Sequence, residues 1–76
     1  SGCYVVLRIE PDRLPAALEP LVVARLEVGG YRLALKDYVD VEQVMAQLRA
    51  AQVRVQEMEV MQPDLEEVFV QIMRKS

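Results

Sequence analysis

Few residues in this chain could do chemistry, and their types narrow the options quickly. Cys3 is the one thiol; histidine, threonine, asparagine and tryptophan are absent, and serine stands only at Ser1 and Ser76. A Ser–His or Cys–His nucleophile pair therefore cannot be built within the chain. A zinc site would have a single thiol and no imidazole to draw on. The adjacent carboxylates Glu66 and Glu67 come nearest to a general acid–base pair. They fall in the first turn of an expected helix, where capping accounts for them. A calcium loop needs a spaced Asp/Asn run with a glycine, and none occurs. Gly29-Gly30 is the only glycine pair, and neither GxxxxGK[ST] nor GxGxxG is found. The expectation is a chain that is not an enzyme, with no catalytic residues, no cofactor and no metal of its own.

The 76 residues bound one small domain, which buries about 60% of its unfolded surface. A hydrophobic content of 53% is high for that size, so part of the apolar surface is expected to face a partner. No apolar run approaches the roughly 20 residues that span a bilayer, and no stretch has the pattern of a signal peptide. A lone cysteine is compatible with a reducing compartment. Ser1 and Gly2, with no initiator methionine, read as a cloning remnant. Residues 3–76 then form a single domain cut from a longer chain.

The elements that would position these residues follow from periodicity. Cys3 to Ile9 alternates as a strand, with Val5, Leu7 and Ile9 on one face and Tyr4, Val6 and Arg8 on the other. Asp12 and Pro15 open a short helix carrying Leu14 and Leu18, which Pro20 should end. Val22 to Val28 is the next strand, with Ala24, Leu26 and Val28 inward and Val23, Arg25 and Glu27 outward. Gly29-Gly30 signals a two-residue hairpin with positive φ at both positions. Tyr31, Leu33 and Leu35 then alternate with Arg32, Ala34 and Lys36.

Asp40 and Gln43 make a capping box before a helix bearing Val41, Val44, Met45 and Leu48, which runs to about Ala51. Val53 to Met61 is a fourth strand whose alternation slips, so a bulge is expected near Gln56-Glu57. The order is strand, helix, strand, strand, helix, strand, helix. The reading is an α+β domain: a ferredoxin-like split β-α-β (βαββαβ) antiparallel sheet with an added C-terminal helix. Right-handed crossovers place strands one and three centrally, two and four at the edges.

Such a sheet has a covered face and an open one. Alternation puts Arg8, Arg25, Arg32, Lys36 and Arg54 on the open face. A nucleic-acid platform would need outward aromatics on the central strands, and only Tyr4 qualifies. With a net charge of −3, phosphate attraction is weak. Cross-strand pairs with Glu10, Glu27 and their neighbours are the favoured reading, and no nucleic acid is expected. The fourth strand, with few charges at its end, invites edge pairing with a second copy.

The tail Gln62 to Ser76 says most. Asp64 can cap a helix with Glu67 three residues on. Leu65, Val68, Phe69, Ile72 and Met73 form one apolar stripe, and Arg74 and Lys75 close the helix where its dipole favours cations. That stripe either wraps onto its own core or docks on a sister subunit or a parent domain.

The same residues carry a likeness. Pro63, Asp64, Leu65, Glu66, Glu67, Val68 and Phe69, followed by Val70, resemble the signature that ends the C-terminal accessory domain of bacterial ABC-type exporter ATP-binding subunits (ABC-2-type transport systems). Family members often have Ser or Thr where this chain has Asp64, a mild departure because Asp caps as well. The resemblance implies a non-catalytic accessory or regulatory domain that follows a nucleotide-binding domain, where ATP and Mg are held. It also implies subunit contact as a homodimer, a membrane permease partner reached through the parent, and a place on the cytoplasmic face of the membrane without direct insertion. Two other readings stand beside it. One is a ligand-sensing module of ACT-like plan, with a metabolite between strand one and a helix N-terminus. The other is a stand-alone protein-interaction domain.

Overall fold

A computed structural model describes residues 2–62 and 72–74. Strand β1 runs Cys3–Glu10, followed by a 3-10 helix at Ala16–Leu21, strand β2 at Val22–Arg25 and strand β3 at Gly30–Leu35. Helix α1 at Asp40–Ala50 and strand β4 at Arg54–Met61 complete the described elements. The four strands form one antiparallel sheet in the order β2-β3-β1-β4, so strands one and three are central as expected.

The core lies between the sheet and the helices. Val5, Leu7, Leu33, Val44 and Leu48 are its largest fully buried side chains. Val44 and Leu48 are four apart, hence on one face of α1, whereas Val5 and Leu7 use the two-residue period of β1. Burying each such aliphatic side chain stabilises the fold by about 1.5–3 kcal/mol. Cys3, Ile9, Leu18, Tyr31, Leu35 and Val53 complete the core, with Leu14 and Val41 packed partly buried against it.

Several expectations give way to local physics. The connection after β1 is a 3-10 helix of six residues that contains Pro20, and no side chain caps it. Pro15 sits at the N-cap position, where its missing N–H costs nothing, but Pro20 lies inside the helix, where a proline removes a backbone donor and clashes with the preceding turn of an α-helix. Asp12 is not the cap; its carboxylate accepts the Tyr31 hydroxyl proton instead. The capping box at Asp40 does not form either. Val39 occupies the N-cap position in helical conformation, and Asp40 Oδ2 accepts the Asp37 N–H at 3.2 Å.

The hairpin departs most. Strand β2 ends at Arg25, and the turn spans residues 27–30, closed by Gly30 N–H to the Glu27 carbonyl at 2.6 Å. Only Gly29 has positive φ, 78°, at the third turn position, where a type II turn requires glycine. Leu26 and Val28 are consequently exposed, Val28 to 84%, rather than in the core. Gly29 is pressed onto β1: its carbonyl accepts the Ile9 N–H at 2.8 Å, and a Cβ there would sit 2.5 Å from the Ile9 carbonyl oxygen. Gly29→Ala should therefore cost about 1–3 kcal/mol, read as a shift in urea unfolding. An unchanged midpoint would refute the close approach.

Helix α1 closes with a Schellman arrangement. Gln52 N–H bonds to the Arg49 carbonyl at 3.0 Å and Val53 N–H to the Leu48 carbonyl at 3.1 Å, while the buried Leu48 and Val53 supply its apolar contact. Gln52 holds a φ of 58°, which glycine adopts without a Cβ penalty. Gln52→Gly should raise stability by about 0.5–1 kcal/mol in the same urea measurement. A loss of stability would show that the Gln52 side chain contributes more than the strain it imposes.

Candidate contact surface

Two bulges decide which side chains reach each face of the sheet. Arg8 pairs with Glu57 and Ile9 with Val55, which leaves Gln56 as the extra residue in β4. This is the bulge expected there. It turns Met58 and Val60 toward the helix side, opposite Leu7 and Val5, where they remain 39% and 37% exposed.

The second bulge was not foreseen. Val22 pairs with Leu33 and Ala24 with Arg32, leaving Val23 between them. Ala24 therefore shares the open face with Arg32, and Arg25 passes to the helix side opposite Tyr31. Both placements correct the alternation reading. There Arg25 pairs with Glu19 of the 3-10 helix, and its guanidinium lies 5.6 Å from the Tyr31 ring centroid. The hydrogen bond from Arg25 to Glu19 holds the Arg25 pKa above its ordinary value.

On the open face the charged rows largely neutralise themselves. Arg8 pairs with Glu57, and Arg54 with Glu10 at 3.3 Å, while Gln56 also donates to Glu10. These pairs are solvent-exposed, so each contributes little to stability. Between these pairs and the far end of the sheet lies a patch formed by Tyr4, Val23, Ala24, Arg32, Ala34 and Met61. The Arg32 guanidinium stands 6.0 Å from the Tyr4 ring centroid. At the same end, Gln62 donates to the Tyr38 hydroxyl.

Other candidate sites are closed by their own partners. In the turn after β1, Arg13 N–H reaches the Pro11 carbonyl at 2.8 Å, and Asp12 is engaged by Tyr31. Arg13 Nη2 donates to the Ala51 carbonyl at 3.3 Å, at the C-terminal end of α1, where positive charge is favoured. Gly29 and Gly30 offer no phosphate cradle, because the Gly29 carbonyl and the Gly30 N–H are both bonded within the protein. Among the described residues, no three His, Cys, Asp or Glu side chains lie together as a metal site. The thiol of Cys3 is buried.

Pro63, Asp64, Leu65, Glu66, Glu67, Val68 and Phe69 lie outside the described residues. Of the expected tail stripe, Ile72 and Met73 are described: residues 72–74 are helical, and these two are 58% and 73% exposed. No helix among the described residues is long and apolar enough to cross a membrane.

These features define a small α+β domain with one sheet face covered by helices and, among the described residues, the other left open. The family model for the C-terminal domain of DrrA1-3-like ATP-binding proteins matches residues 4–73, and the chain belongs to that family. This agrees with the resemblance to the accessory domain of ABC exporter ATP-binding subunits. The chain matches no curated protein and no solved structure.

Tyr31 makes one consequence measurable. Its hydrogen bond to the Asp12 carboxylate, and then burial, raise the phenol pKa above its ordinary value near 10. Folding thus favours the protonated phenol. That contribution is fully present below the unfolded value and is lost as pH rises through the folded one. Tyr31→Phe should cost about 0.5–1.5 kcal/mol at neutral pH. From about pH 10 upward, wild type should lose stability faster than the variant, as urea unfolding at a series of pH values would record. Parallel curves would show that the Asp12 bond does not govern the titration.

Proposed function

We propose that this domain is the non-catalytic accessory domain of an ABC transporter ATP-binding subunit, providing subunit contact or regulation of the ATPase in an export system. The family match over residues 4–73 carries the reading, because it spans both the sheet and the tail signature. The strand order β2-β3-β1-β4 supports a ferredoxin-like plan in which the first crossover has shrunk to a 3-10 helix.

In this reading the chain does no chemistry, and ATP and Mg are held by the parent nucleotide-binding domain. The sequence supports this, with no histidine and no phosphate loop. The permease is reached through the parent, on the cytoplasmic side of the membrane. Tyr4 is the one aromatic residue on the open face of the central strands, with Ala34 and Met61 beside it and Glu59 one row further along, which weighs against nucleic acid.

Deleting residues 3–76 from the full ATP-binding subunit tests the assignment. Nucleotide affinity should stay within a few-fold, while ATP hydrolysis by the assembled transporter, or its assembly with the permease, should fall severalfold. Unchanged hydrolysis, assembly and export would remove the accessory role.

A further inference from the structure

Charge on the open face is neutralised row by row, with one exception. Arg8 and Glu57 sit on neighbouring strands and pair, as do Glu10 and Arg54. In the row through Val6, Arg32 of β3 stands on one side and Glu59 of β4 on the other. The whole of β1 separates them, roughly 10 Å across two strand spacings. Among the described residues, neither Arg32 nor Glu59 enters an ion pair. The row therefore reads positive, apolar, negative. Tyr4 and Val6, both half-buried, form the apolar centre line along β1, with Ala34 and Met61 beside Tyr4.

This arrangement complements itself under one two-fold operation. Consider two open faces packed together about an axis parallel to β1. Rows keep their position along the strand, and left exchanges with right, so β3 of one copy lies over β4 of the other. Arg32 then faces Glu59 of the second copy, Glu59 faces its Arg32, and Val6 meets Val6. A two-fold axis across the strands instead sets Arg32 against Arg32, which charge repulsion disfavours. Pairing β4 to β4 along their edges about Met58 sets Glu57 of each copy against Glu59 of the other, and these also repel. We infer that the open sheet face is the contact between two copies of this domain, keyed by reciprocal Arg32–Glu59 pairs around Tyr4 and Val6. Aligned sheets pack about 10 Å apart, a gap that Arg and Glu side chains span together. The inference rests on the accessory-domain reading for its biological meaning, and on the row geometry for its residues.

Charge reversal tests it with the 76-residue chain. Sedimentation equilibrium over a concentration series should show a monomer–dimer equilibrium that weakens with added salt. Arg32→Glu and Glu59→Arg should each weaken dimerisation by about tenfold or more, since each creates like-charge contacts twice in a two-fold dimer. The double variant Arg32→Glu/Glu59→Arg should return the constant to within about threefold of wild type. Both substitutions are at exposed positions, and recovery in the double variant excludes misfolding as the cause of the single effects. A monomer at every concentration would overturn the contact. So would a dimer that ignores both single variants, or one that Val60→Lys on the other side of β4 disrupts in their place. None of these outcomes touches the deletion test, so the contact can fail while the transporter reading stands.

Discussion

Everything in this fold depends on strand β1 being paired along both edges. It is hydrogen-bonded to β3 on one side and β4 on the other, and its inward side chains Cys3, Val5, Leu7 and Ile9 are all buried. A one-residue slip of β1 would send that whole set to the open face and bring Tyr4, Val6 and Arg8 inward. The register is therefore fixed by the core. Gly29 reinforces it from the hairpin, because only a residue without a Cβ can bring its backbone against Ile9. Each edge strand then carries one bulge, and the bulges alone determine which edge residues join the core.

The extent to which the sequence announced this depends on whether an irregularity leaves a mark in the pattern. Around Gln56 it does: Val53 and Val55 share one parity, Met58 and Val60 the other, so the alternation breaks visibly. Around Val23 it does not. Val22, Val23 and Ala24 are all apolar, so an extra residue among them leaves no break, and every assignment from Ala24 to Val28 moved to the wrong face or the wrong element. The pairing of Arg25 with Glu19 was hidden for the same reason. The caps differ because Asp12 and Asp40 are good caps in isolation, whereas their carboxylates have better placed donors in Tyr31 and the Asp37 N–H. Local propensity proposes a partner, and the tertiary structure supplies a nearer one. The tail signature was legible as a likeness, and the family match agrees with it.

The two faces of the sheet differ in what they bury. The helix side holds nearly all the burial, and its polar rim is satisfied by Tyr31 with Asp12 and Arg25 with Glu19. The open side holds less apolar area, spread from Tyr4 and Val6 of β1 to Val23, Ala24, Ala34 and Met61 on the other strands. An acidic edge at Glu57 and Glu59 discourages strand addition to β4, the usual hazard of an exposed edge. A sheet with acids along the β4 edge and an apolar patch on its open face is suited to face contacts.

A face contact of this kind need not be strong to matter. If the domain is joined to a subunit that already pairs during its catalytic cycle, the second contact becomes intramolecular. Its effective concentration then reaches the millimolar range for a short connection. A contact that pairs free domains only at high concentration would still bias when the parents close and how long they stay closed, because a coupling of only a few kcal/mol shifts such an equilibrium substantially. Exposed charge pairs fit that demand better than a large apolar interface. They add orientation and association rate more than tightness, so parents keyed by Arg32 and Glu59 would still separate at each turnover.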